Sequence, residues 1–289
     1  MKLYKYHGGG NDFLILDGRD GQTVSPDRVR FLCDRHLGFG ADGLMVLRRP
    51  LTAGSASGNP AFGMDYYNAD GSGGMMCGNG GRCIVAFAAD LGYTRFDFEG
   101  PDGPHQAGLL ADDGVEKTVR LRMKDVSLIR SLGGDAWFLD TGTRHYVRPV
   151  GDLTAFDVVR EGRQVRYDPA FAPEGVNANF IEADPDGCLH VRTYEKGVED
   201  ETLACGTGIV ASALAAYALG RAGRPVPEDP AAGPAAESGG PGRIRCDIQA
   251  RISRMTVDFV PGGPGEPFAR DIWLTGPATF VGTLETPED

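Results

Sequence analysis

Cys77-Gly78-Asn79-Gly80-Gly81-Arg82-Cys83 runs into the apolar stretch Ile84–Leu91, and Cys205-Gly206-Thr207-Gly208 runs into Ile209–Leu219. The two cysteines are 128 residues apart (205 minus 77), and in each half a tyrosine precedes the cysteine, Tyr67 by 10 positions and Tyr194 by 11. A duplicated domain accounts for this spacing. Val210–Leu219 is Ala-rich and apolar nearly all round, and it stops at Gly220. A helix without a polar face is a buried one, and a glycine just past its end is a common stop. Ile84–Leu91, ending at Gly92, is its counterpart.

Short β-like runs bounded by Gly, Asp or Pro precede each helix. They are Leu3–Tyr6, Phe13–Leu16 and Leu44–Leu47 in the first half, with Val119–Met123 following the helix. In the second half Ala136–Leu139, Tyr146–Val150, Asn179–Ile181 and Leu189–Tyr194 precede the helix, and Arg243–Ala250, Met255–Phe259, Asp271–Leu274 and Ala278–Leu284 follow it. Such runs are strands. The expected fold is α+β: two pseudo-symmetric domains, each a curved, mostly antiparallel sheet wrapped around one buried helix. The first domain covers 1–127, with the last strand, about 276–289, returning to it; the second covers 128–275. Arg224–Gly242, rich in Pro, Gly and Ala, is expected to be a disordered-looking surface loop, and Gly54–Gly63 a smaller one.

The cysteine positions carry chemistry. A cysteine that enters a helix through glycines lies where first-turn N–H groups have no intrahelical acceptor. Those donors and the positive end of the helix dipole can hold a carboxylate. The same field lowers a thiol from its usual pKa of about 8.5 and favours the thiolate. Two such elements place one sulfur on each side of a substrate α-carbon, one to remove a proton and the other to deliver one. Cys33, Cys83, Cys188 and Cys246 lack this context and are structural.

Composition excludes several other classes. The net charge of −11 disfavours nucleic acid, which needs a concentrated basic surface. With no apolar run of about 18 residues and no secretory start, the chain is expected to be cytoplasmic, away from membranes. Six cysteines in 289 residues, none in a C-x-x-C pair, suggest neither a disulfide scaffold nor a structural zinc site. His7-Gly8-Gly9-Gly10 is compatible with a lipase oxyanion loop, yet no G-x-S-x-G elbow or P-loop accompanies it.

His7-Gly8-Gly9-Gly10-Asn11-Asp12-Phe13, Asn68-Ala69-Asp70-Gly71-Ser72 and the blocks Cys77–Cys83 and Glu201–Gly208 together resemble the diaminopimelate epimerase family. The resemblance runs in order from residue 3 to about 283. It implies a cofactor-free and metal-free epimerase, with its site in a cleft between two similar domains and a homodimeric state. The implied substrate is diaminopimelate, converted from the L,L to the meso isomer on the route to lysine and peptidoglycan precursors. Cys77 and Cys205 would be the acid/base pair, with His145 and Glu195 supporting catalysis. Gly78, Asn79, Gly206 and Thr207 would hold the reacting carboxylate. Asn11, Asn68, Asn177, Glu195 and Lys196 would read the distal amino-acid group, and Asn179 is the competing choice for Asn177.

Three positions depart from the pattern. Gly142-Thr143-Arg144-His145 puts Thr143 where an asparagine is common, Glu195-Lys196 replaces Glu-Arg, and Gly43 replaces a frequent glutamine. All three lie on the substrate-reading side. Rival readings are a two-cysteine racemase of another amino acid such as proline or hydroxyproline, and an isomerase of the phenazine-biosynthesis type, which works without paired cysteines. A non-catalytic amino-acid binding protein is a third.

Overall fold

The computed structural model describes residues 1–50, 60–74, 77–127, 129–226 and 242–287. The chain divides into two compact units, Met1–Arg122 with Thr275–Asp289, and Met123–Leu274.

In the first unit, strand Lys2–Gly8 turns back antiparallel onto Asn11–Asp17 through Gly9 and Gly10, whose φ values of 75° and 109° are left-handed. Asn11–Asp17 then pairs parallel with Gly43–Arg48, which pairs antiparallel with Phe62–Asn68, itself parallel to Phe98–Gly100. On the other side, Lys2–Gly8 pairs with residues 279–285 of the strand Ala269–Glu285, whose residues 276–279 pair with Glu116–Arg122. Parallel neighbours need a crossover. Helix α1 (Pro26–Cys33) supplies it, capped by the Ser25 side chain accepting from Arg28 N–H and opened by Pro26.

The second unit repeats the sequence of pairings. Ala136–Asp140 is antiparallel to Arg144–Pro149, which is parallel to Asn177–Ala183, which is antiparallel to Leu189–Glu195, which is parallel to Ile244–Gln249. Its crossover helix, which takes the label α3 in chain order, is Val158–Arg166, capped by Asp157. Between α1 and α3 in chain order lies α2, Gly78–Asp90, and after them comes α4, Gly206–Ala218; each is 13 residues long. Helix α2 is buried from Gly78 to Ala88 and touches strands 2–8, 11–17, 43–48, 107–112 and 116–122. Helix α4 is packed inside strands 136–140, 144–149, 177–183, 189–195, 244–249 and 254–261. The fold is the expected α+β arrangement of curved sheets around buried helices.

Both central helices end alike. Gly92 N–H donates to Ala89 O and Tyr93 N–H to Ala88 O; Gly220 N–H donates to Tyr217 O and Arg221 N–H to Ala216 O. Gly92 and Gly220 have φ of 85° and 64°. These are paired Schellman stops.

The structure corrects the sequence reading at several points. The central helices begin directly after the cysteines as expected, at Gly78 and Gly206, and the glycines there are themselves helical despite their low propensity. Helices α1 and α3 and strand Phe62–Asn68 were not anticipated, since charged residues interrupt their apolar pattern, and neither was the short strand Ala107–Asp112. Arg224–Pro225 is a short strand paired to Ile244–Arg245 and not part of a loop. Residues 227–241 of the 224–242 stretch, and 54–59 of Gly54–Gly63, lie outside the described residues. Among the described residues no helix is long and apolar enough to cross a membrane.

Gly220 has open space around its α-carbon, so replacing it tests the left-handed stop without a clash. Gly220→Ala is expected to lower the stability of the second unit by about 1–2 kcal/mol, with Gly220→Asn recovering part of the loss. Urea unfolding followed by intrinsic fluorescence reads both, and an alanine variant as stable as the parent would contradict the assignment.

Candidate active site

Cys77 caps α2. Its extended backbone (φ −98°, ψ 147°) turns the sulfur back over the first turn, where Gly80 N–H donates to Sγ at 3.1 Å. An N–H donor and the helix N-terminus both favour negative charge on that sulfur. Cys205 caps α4 with φ −114° and ψ 109°, and its Sγ lies 3.5 Å from Thr207 Oγ1. In each helix the first two amides, of Gly78 and Asn79 or of Gly206 and Thr207, have no acceptor within the helix. Each pair is suited to a carboxylate.

Glycines make room around these caps. A Cβ on Gly8 would sit 2.6 Å from Asn79 O, and one on Gly208 would sit 3.3 Å from Cys205 Sγ. Gly8 is therefore needed for its strand to pass over the start of α2.

In the first unit the structure joins Asn11 to the cysteine turn. Asn79 Nδ2 donates to Asn11 Oδ1, and Asn11 Nδ2 donates to Asp42 Oδ2 at 3.0 Å. Arg82, fully buried, fixes Asn79 by donating to its Oδ1 at 2.8 Å and also donates to Gly78 O and Gly8 O. The sequence reading gave Arg82 no role; its signal was a lone cation within an otherwise apolar helix. Asn68 stands apart. It is exposed, and its Nδ2 donates to Ser72 Oγ at 3.0 Å within the turn that follows its strand.

In the second unit His145, Thr143 and Thr207 form one bonded group beside Cys205. Thr143 Oγ1 lies 2.8 Å from His145 Nε2 and 2.9 Å from Thr207 Oγ1, and Nε2 lies 3.1 Å from Thr207 Oγ1. Burial pushes the His145 imidazole down to about 3, so the ring is neutral near pH 7. Asn177 is nearly buried; its Oδ1 accepts from Lys196 N–H at 2.8 Å, and its Nδ2 donates to Arg144 O. Lys196 is exposed, with Nζ donating to Glu174 O at 3.1 Å, and Glu195 ends its strand half-buried opposite Asp200. Gly43 is required locally, because a Cβ there would lie 2.6 Å from Tyr67 O.

The other cysteines differ in kind. Burial pushes the Cys33 and Cys246 thiols up to about 12 and Cys83 higher still, so all three stay protonated. Cys188 is half-buried, and burial also raises its thiol.

The family model described as diaminopimelate epimerase matches residues 3–128 and 137–234. Diaminopimelate epimerase of Flavobacterium psychrophilum is 41% identical over 227 residues, covering 76% of this chain and 83% of the relative. O-ureido-serine racemase of Streptomyces lavendulae is 33% identical over 307 aligned positions, covering 97% of this chain and 93% of the relative. Among solved structures, a PhzF-family phenazine biosynthesis protein of Bacillus anthracis superposes with a TM-score of 0.70 at 14% identity, covering 100% of this chain and 99% of that one, which is a likeness of fold. With two cysteine-capped helices in a repeated α+β unit, and with the family model matched over both, the chain belongs to the diaminopimelate epimerase family.

Proposed function

We propose that the protein epimerises L,L-diaminopimelate to the meso isomer, using Cys77 and Cys205 as the two acid/base groups. The observation that carries this is the matched placement of each cysteine as the N-cap of a buried 13-residue helix beginning Gly-x-Gly, in a chain of this family. One cysteine, as thiolate, removes the α-proton; the other, as thiol, donates its proton to the opposite face. Each turnover leaves the roles exchanged. The amides of Gly78, Asn79, Gly206 and Thr207 hold the substrate carboxylate and oppose the charge that builds on it as the α-carbon loses its proton. No cofactor is needed for this step.

On this reading His145 supports Cys205, Thr143 meets the substrate beside the reacting centre next to Thr207, and Glu195, Asn11, Asn68, Asn177 and Lys196 meet it further away. Residues 1–127 with the last strand form one half of the enzyme, and 128–275 the other. The resemblance of the motifs to the family further supports a cytoplasmic homodimer serving lysine and peptidoglycan precursor synthesis.

A second reading has its own support. Thr143 and Lys196 both depart from the family pattern on the substrate-reading side, and the O-ureido-serine racemase is 33% identical to this chain. An amino acid with a shorter, uncharged distal group is the alternative substrate.

Cys77→Ala and Cys205→Ala are each expected to lower epimerisation by several orders of magnitude. A circular-dichroism assay on purified isomers reads the rate, and a variant retaining a tenth of the parent rate would sink the two-cysteine scheme.

Lys196 separates the two substrates. Lys196→Ala should cost about 2–5 kcal/mol of binding for a substrate with a distal carboxylate, seen mainly in KM, and Lys196→Arg should preserve activity. Turnover of an amino acid without that carboxylate should be unaffected. If Lys196→Ala keeps kcat/KM for L,L-diaminopimelate within twofold of the parent, the distal contact is not made by this residue.

A further inference from the structure

Asn179 is fully buried on strand Asn177–Ala183, and every polar atom of its side chain is engaged. Nδ2 lies 2.9 Å from Tyr146 O, and a carbonyl can only accept, so the amide nitrogen must occupy that side. Oδ1 correspondingly accepts from Thr193 Oγ1 at 2.9 Å. For the second hydrogen on Nδ2, His145 Nδ1 at 3.0 Å is much closer than Asn177 O at 3.5 Å, and since an amide nitrogen cannot accept, Nδ1 accepts with its lone pair. A neutral imidazole that accepts at Nδ1 carries its proton at Nε2.

That proton enters the trio beside Cys205. The ring N–H lies within reach of the Thr143 and Thr207 hydroxyls, 2.8 and 3.1 Å away, and the hydroxyls are 2.9 Å apart. Each hydroxyl has one hydrogen to give. With Thr143 receiving from the ring, its own hydrogen goes to Thr207, and the Thr207 hydrogen is left for Cys205 Sγ, 3.5 Å away. In the opposite tautomer Nε2 would be an acceptor and would compete with the sulfur for the two hydroxyl hydrogens. Gly208 permits the arrangement, because a Cβ there would lie 2.4 Å from Asn179 Oδ1.

We infer that Asn179 is a positioning residue that fixes the His145 tautomer and so directs a donor relay, His145 to Thr143 to Thr207, onto the Cys205 sulfur. Its effect on turnover rests on Cys205 being one of the acid/base pair; the relay itself does not. Thr143, a departure from the family pattern, is the middle link, so the relay is a property of this chain.

The test uses the whole protein labelled with 15N-histidine, with His145→Gln identifying the resonances. His145 is expected to show the neutral Nε2–H signature, unchanged between pH 8 and pH 5. Alkylation of Cys205 by iodoacetamide, followed by peptide mass spectrometry, is expected to slow about tenfold near neutral pH in Asn179→Leu and in Thr143→Val, the loss of one hydrogen bond to a charged sulfur. Only Asn179→Leu should change the His145 signature, and Cys77 alkylation should be unchanged in both. An Nδ1–H signature in the parent protein overturns the inference even if Asn179→Leu does not fold, and so does a Cys205 rate within twofold of the parent in Thr143→Val. If the relay is seen while Cys205→Ala still epimerises, the catalytic reading fails and the relay stands.

Discussion

The structure depends on a sulfur placed at the positive end of a buried helix. Both cysteines cap helices that lie inside their sheets, where the helix field is little screened by solvent. Burying those helices is what the rest of each unit accomplishes. The parallel crossovers, the glycine hairpin and the Schellman stops all set where the helix begins and ends, and hence where the sulfur sits. A cysteine elsewhere in the same fold behaves differently, as Cys83 shows: it lies six residues further along α2, fully buried, and its thiol is pushed far up by burial.

The two caps solve the same problem with different partners. Cys77 receives a backbone N–H from Gly80, above a buried arginine that orders Asn79. Cys205 makes no side-chain cap bond to α4; its sulfur lies by the Thr207 hydroxyl, which is in turn bonded to the Thr143 hydroxyl and the neutral His145. On the proposed two-base reading, a pair of sulfurs that trade proton for lone pair needs neither held permanently in one state. Backbone amides and neutral donors can stabilise a thiolate and still release the thiol. Arg82, by contrast, reaches the site through Asn79 and the carbonyls of Gly78 and Gly8.

Much of this was legible in the sequence, for identifiable reasons. The α4 segment is so uniformly apolar that only burial suits it, and the two Cys-Gly-x-Gly starts place both caps to the residue. What escaped was carried by partners distant in sequence. Helix α1 looks like a charged surface segment until Ser25-Pro26 is recognised as a cap. Arg82 could be read only once Gly8, 74 positions earlier, was known to lie beside it. The choice between Asn177 and Asn179 was open because strand residues two apart share a face. Their neighbours separate them: Asn177 ties down the Lys196 backbone, and Asn179 ties down His145.

The central claim is that two separate groups handle the proton on opposite faces. Following isomer and isotope content together in heavy water, from pure L,L-diaminopimelate, tests it directly. Two acid/base groups predict that early meso product carries solvent deuterium at the inverted carbon while the remaining L,L isomer stays unlabelled. Deuterium entering the L,L isomer as fast as the meso isomer, or meso product retaining the original proton, would mean one shared base and would contradict the account.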